Sequence, residues 1–158
     1  MFRPMRRSPQ ALSHEEMTDL LKTETRGVMS VLGDNGYPYG FPINHYYDEE
    51  ANKIYIHGAN FGNRVSAVKS DPKVSYCVFG GEYQKEGDWA KYVRSVIVFG
   101  KAEMIEDANE IVRISRLLCD KFPCPPEYVE HEIEKDAPRT LVIAIDIEYM
   151  TGKLVHEA

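Results

Sequence analysis

Cysteine is scarce in this chain, tryptophan occurs once, and no long apolar run is present. The three cysteines, Cys77, Cys119 and Cys124, are odd in number, and their spacing matches neither a CxxC pair nor a zinc pattern. A disulfide scaffold and a structural zinc site are therefore not expected. Reduced thiols suit a cytoplasmic protein, and Cys77 reads as a small core residue in an apolar strand. The five histidines contain no HxH or HxxxH pair, so no metal is expected. No apolar stretch approaches the roughly 18 residues needed to span a bilayer. The basic N-terminus MFRPMRRSPQ is followed by no apolar segment, unlike a secretory signal. Positive charge is also in deficit, with 19 basic against 25 acidic residues and a formal net charge of −6. Nucleic acid and anionic membranes both require a basic face, so neither is an expected partner.

Ten tyrosines and six phenylalanines lean toward β structure and toward flat surfaces able to meet a planar ligand. The length of 158 residues suits one domain. No internal repeat or low-complexity tract divides the chain, which reads as a single domain over 1–158 with an N-terminal arm over 1–12.

Ser13 and Glu16 form a capping box for a helix, with Leu12 and Met17 as its hydrophobic staple. A strand over Val28–Leu32 reaches Asp34-Asn35-Gly36, a hairpin signal. The return strand, Tyr37–Tyr47, carries Pro38 and Pro42, which mark an edge or a bulge. With a strand over Lys53–His57 it predicts a three-stranded meander. A short helix over Asn63–Ser70 ends at Asp71-Pro72. A strand over Val74–Phe79 precedes a polar, irregular excursion over Gly80–Trp89. A long strand over Tyr92–Ile105 follows, whose continuous apolar centre predicts burial on both faces. Asp107 caps a further helix, Pro125-Pro126 ends it, and a short helix runs on to about Lys135. The last strand, Thr140–Met150, alternates apolar residues. Six mostly antiparallel strands with flanking helices predict a mainly β fold, a small closed or partly open barrel.

The stretch IYIHGANFGNRV, Ile54 to Val65, carries the strongest chemical signal. A strand runs into a glycine-bearing loop and then a helix start bearing Arg64. Unpaired N–H groups and the helix dipole favour an anion there. Gly58 and Gly62 let backbone approach a ligand, and an arginine grips phosphate through two donors. Two other segments complete a candidate site. In Tyr37–Asn44, prolines leave backbone groups without ladder partners. In Tyr92–Val96, Arg94 and Ser95 interrupt an apolar strand. His45 reads either as a substrate contact or as a surface residue. Trp89 and Tyr92 read either as ring-stacking residues or as loop anchors. Ser95 and Arg94 read equally as a solvated pair at a dimer edge.

In order, GYPYGFPIN, IYIHGANFGNRV, DPKVSYCV, YVRSVIVFGKA and the terminal MTGK resemble the flavin-binding split-barrel superfamily related to pyridoxamine 5′-phosphate oxidase. Within it the chain is most similar to the nitroimidazole-resistance-type branch, which Met5-Arg6-Arg7 also fits. The resemblance implies a six-stranded antiparallel split barrel and a homodimer with FMN in the groove between subunits. It further implies that backbone groups of Pro42, Ile43 and Asn44 meet the pyrimidine edge of the flavin ring. His57, Gly58, Asn63 and Arg64 would surround the ribityl chain and phosphate. Ser95 and Val96 would lie against the ring or phosphate. The family position held by Arg64 is often lysine, and either cation binds phosphate. The basic C-terminal residues of pyridoxamine phosphate oxidases have no counterpart in Met150–His156, so that biosynthetic activity is not expected. The expected activity is an FMN-dependent oxidoreductase that uses NAD(P)H to reduce a small organic acceptor, such as a nitro compound. No catalytic side chain is identified. The alternatives are a non-catalytic flavin-binding protein, a haem-binding relative with His57 or His45 as axial ligand, and a deazaflavin protein.

Overall fold

The computed structural model describes residues 1–136 and 140–158, with Asp136 described by its backbone alone. The first long element, α1 (His14–Thr23), begins at the expected capping box. Ser13 Oγ accepts from the Glu16 N–H at 3.1 Å, and Glu16 Oε2 accepts from the Ser13 N–H at 2.7 Å. Two orphan donors of the helix start are thereby satisfied. Leu20 and Leu21 are fully buried and anchor α1 in the core.

Strands β1 (Arg26–Leu32) and β2 (Pro38–Asn44) form the expected hairpin. Its turn places Asn35 and Gly36 at φ 59° and 76°, the left-handed region that Asn and Gly tolerate best. The expected continuous strand to Tyr47 instead breaks at His45. Residues after the break form a separate short strand, β3 (Tyr46–Asp48), which pairs with β4 (Lys53–Ala59). The three-stranded meander therefore does not form: β2 and β4 are not hydrogen-bonded neighbours. After α2 (Asn63–Ser70) come β5 (Lys73–Gln84), β6 (Lys91–Ile105), α3 (Ala108–Cys119), α4 (Pro126–Asp136) and β7 (Thr140–His156). Among the described residues seven strands make one antiparallel sheet in the order β2-β1-β5-β6-β7-β4-β3. The seventh strand arises from the break at His45.

Two further expectations are corrected. The segment after Phe79 is not irregular to Trp89, because β5 continues to Gln84 across a bulge at Gly80 and Gly81. The centre of β6 is not buried on both faces. Val96 and Val98 are fully buried, while Ile97 between them is 39% exposed and Phe79 on the neighbouring strand 64%. The apolar run reflects a bare outer face, not a second core.

Two-sided burial occurs instead on β7. Ile143 and Ile145 join the main core with Met29, Ile54, Tyr76, Val78 and Val96. Val142 and Ala144 point the other way, into a second core with Ile111, Ile114 and Leu118 of α3 and Tyr55 of β4. Asp107 caps α3 as expected, accepting from the Glu110 N–H at 2.8 Å.

Candidate functional site

The curled sheet brings its first edge, β2, against the turn that follows β4. The Arg64 guanidinium lies over the Phe41 ring, 6.0 Å from its centroid. That distance is within reach of a cation–π interaction. Phe41 is buried, and its neighbour ring Tyr39 tilts against it at 5.3 Å. Tyr39, Phe41 and Pro42 from β2 and Phe61, Gly62, Asn63 and Arg64 from the turn enclose a cavity of about 340 Å³. Phe61 is 74% exposed at its rim.

Local sequence explains this geometry. Gly62 adopts φ 103°, which L side chains rarely reach, and precedes α2 with no side-chain cap. The first N–H groups of α2 are thus left to a ligand or solvent. Gly58 leaves room for the cation: a Cβ there would fall 2.9–3.1 Å from the Arg64 guanidinium, which would have to shift aside. The cation is therefore packed against the strand backbone. Arg64 makes no ion pair among the described residues. His57, half-buried on β4, has its pKa lowered by burial and then by the nearby Arg64 charge. Its imidazole is accordingly neutral at pH 7.

Of the expected site residues, Pro42, Asn63 and Arg64 line this cavity, with Gly58 directly against the Arg64 head group. Ile43, Asn44, Ser95 and Val96 lie elsewhere in the chain. Ile43 packs on the main core, and its carbonyl lies 2.9 Å from the Tyr76 hydroxyl. Asn44 is opposite Arg26 at the end of the β1–β2 ladder. Ser95 and Val96 sit on β6, opposite Lys153 and Gly152 of β7. The Val96 side chain is fully buried in the main core. Arg94 pairs with Asp19 of α1 at 2.9 Å.

His45 is neither a surface residue nor available to a substrate, because it is completely buried. Leu21 O can only accept, so His45 Nε2–H donates to it, at 2.7 Å. Nδ1 then accepts from the Tyr76 hydroxyl at 3.0 Å. Burial first, and the Lys121 charge second, push this histidine down to about 4. His45 thus pins the break between β2 and β3 to the C-terminal end of α1. Both ring nitrogens are engaged, which removes it as an axial metal ligand. The aromatic lining from Tyr39, Phe41 and Phe61 is not legible from spacing; only the same-face separation of Tyr39 and Phe41 hints at it. Among the described residues no group of histidines, cysteines and carboxylates could hold a metal ion.

A curled antiparallel sheet that brings an arginine, an uncapped helix start and aromatic walls to one cavity defines a small split-barrel protein. The chain belongs to the pyridoxamine 5′-phosphate oxidase family, whose match spans residues 13–154. Solved structures share the fold. A candidate 5-nitroimidazole antibiotic resistance protein from Bacteroides thetaiotaomicron superposes with a TM-score of 0.74 at 17% identity, covering 92% of this chain and 87% of that one. An FAD and haem binding protein from Mycobacterium smegmatis gives 0.73 at 23% identity, covering 94% and 74%. An FAD-binding protein from Mesorhizobium loti gives 0.64 at 20% identity, covering 92% and 97%. No curated protein matches the chain.

Proposed function

We propose that the chain is an FMN-binding oxidoreductase, cytoplasmic and homodimeric, that takes electrons from NAD(P)H and passes them to a small organic acceptor such as a nitro compound. The observation that carries this reading is the Arg64 guanidinium, free of ion pairs among the described residues and held between Gly58 and the Phe41 ring at the uncapped start of α2. The residues present fit the cofactor. Arg64 and the first N–H groups of α2 would bind its phosphate, Asn63 would lie beside the ribityl chain, and the β2 wall at Pro42 would meet the ring. A bound flavin would supply two-electron transfer between donor and acceptor. The chain's own part is to bind, orient and exclude water. His57, neutral and close to Arg64, adds no positive charge of its own to the phosphate site.

The homodimer rests on the bare outer face of β5 and β6, where Phe79 and Ile97 are exposed, and on a cavity too open to cover a tricyclic ring alone. A partner would also bring Ser95, which lies on that face, toward the flavin.

The test is an absorbance spectrum of the chain purified without added cofactor, with the released ligand identified by mass, then anaerobic addition of NADH or NADPH. Flavin bands, an FMN mass and bleaching by either nicotinamide are expected. FMN binding without bleaching would leave a non-catalytic flavin protein. A colourless chain that refuses added FMN would overturn the proposal.

A further inference from the structure

The turn between α3 and α4 carries two of the chain's three thiols. Cys119 is the last residue of α3, and Cys124 stands just before Pro125 and the start of α4 at Pro126. Between them the chain reverses in two tight steps. The Phe122 N–H donates to the Cys119 carbonyl at 2.8 Å, and the Cys124 N–H donates to the Phe122 carbonyl at 2.8 Å. The second bond spans Pro123 alone, a three-residue turn whose central φ the proline ring supplies. The Cys124 thiol then points back and donates to the Cys119 carbonyl at 3.8 Å. Both cysteines are free and half-buried. They line one cavity of about 290 Å³, with Phe122 and Val129 among its walls.

The surroundings hold this turn in place. Lys121, between the two cysteines, reaches into the molecule, where its ammonium donates to the carbonyl of Glu24, the C-cap of α1, at 2.6 Å. Arg116 of α3 grips Glu130 of α4 through two bonds of 2.8 and 3.1 Å, and both line the same cavity. The helices are thus braced to each other and the turn is anchored from within. Burial first, and the neighbouring Cys124 second, raise the pKa of the Cys119 thiol, so the two sulfurs sense each other's charge. No group of metal-binding side chains forms around them among the described residues, which leaves sulfur–sulfur chemistry. Each cysteine has a single side-chain torsion to adjust, because the backbone between them is already folded. The third thiol, Cys77, sits on β5 opposite Ile97, outside this cavity.

We propose that Cys119 and Cys124 form a reversible dithiol–disulfide site, oxidised by a small-molecule disulfide of the glutathione kind. The thiolate of one cysteine attacks a glutathione disulfide sulfur. Their S–S bond forms, the glutathione S–S bond breaks, and one glutathione leaves with the proton. The second cysteine, as thiolate, attacks the first cysteine's sulfur and expels the other glutathione, which takes the second proton. The two protein sulfurs are oxidised by two electrons in all, and one glutathione disulfide is reduced to two thiols. In a reducing compartment the pair rests open, as transient redox-sensing pairs do. Closure fastens the end of α3 to the entry of α4 by a covalent bond beside the Arg116–Glu130 brace. The proposal does not depend on the flavin.

Equilibrating the purified chain in a series of glutathione redox buffers, followed by acid quenching and intact mass, tests it. A loss of two hydrogens with no glutathione retained is expected. Trypsin cuts after Lys121, between the two cysteines, so the bond should keep Leu117–Lys121 joined to Phe122–Lys135 until a reductant is added. Cys77→Ser should close as the parent chain does. Cys119→Ser and Cys124→Ser should each stop closure and leave the remaining cysteine of the pair carrying glutathione. The folded chain should close at a glutathione disulfide level about tenfold or more below that needed in urea, because the native turn holds the thiols together. Glutathione retained on the parent chain in place of closure, a cross-link that includes Cys77, or equal closure in the folded and the urea-unfolded chain would each overturn the proposal.

Discussion

Two parts of the molecule carry arginines free of ion pairs among the described residues, but hold them in opposite ways. Arg64 is trapped between the backbone at Gly58 and the buried Phe41, behind which His45, Tyr76 and Leu21 lock β2 to α1. Arg6 and Arg7 project from an arm fastened by one backbone bridge and one aromatic stack. A preorganised cation loses little freedom on binding, whereas an arm must be ordered by its ligand. The cavity at Arg64 is therefore the better suited to a resident group.

Acid should separate the two most strongly. His45 is held at about 4 in the folded chain and lies near 6.5 when unfolded. Because the folded value is depressed, its contribution is complete above pH 6.5 and is lost as pH falls from 6.5 toward 4. The loss is on the order of 3 kcal/mol at roughly 1.4 kcal/mol per unit. Urea unfolding at pH 7 and at pH 5 should show most of this fall before the ordinary carboxylates titrate. A His45→Phe variant should have a flatter profile; an equally steep one would show that another group controls acid stability. Removing Arg64 comes next. Arg64→Ala should weaken FMN binding by about 2 kcal/mol, the loss of a charge-assisted pair; an unchanged affinity by fluorescence titration would remove Arg64 from the phosphate site. Gly58→Ala should have a smaller effect, about 1 kcal/mol in the same titration, because the added methyl displaces the guanidinium without deleting it. Phe2→Ala should be the mildest, lowering stability by less than about 1 kcal/mol in thermal melts. A larger drop would mean that the arm is part of the core.

Features encoded locally were readable before the structure. The Ser13–Glu16 box, the Asn35-Gly36 turn and the limits of α2 each depend on residues within a few positions of one another. The turn from Gly58 to Arg64 was readable for the same reason. What could not be read depends on distant parts of the chain. The alternation of β2 and β3 runs on through His45, so only the burial of that imidazole against Leu21 and Tyr76 reveals that the strand changes edges. An apolar run such as Val96-Ile97-Val98-Phe99 records that apolar residues are wanted, not whether a core or a surface wants them. Tyr39 and Phe41 reach Arg64 only because the sheet curls, and curl has no signature in a single strand.

Strand β7 has a consequence for how the molecule comes apart. Its residues Val142 to Ile145 belong alternately to both apolar cores, so neither can empty without pulling on the same four-residue piece of backbone. Amide protons there should exchange with solvent only when the whole molecule opens, while those of the N-terminal arm should exchange through brief local excursions. The strand acts as a common seam, joining what would otherwise be two independently melting halves into one cooperative unit.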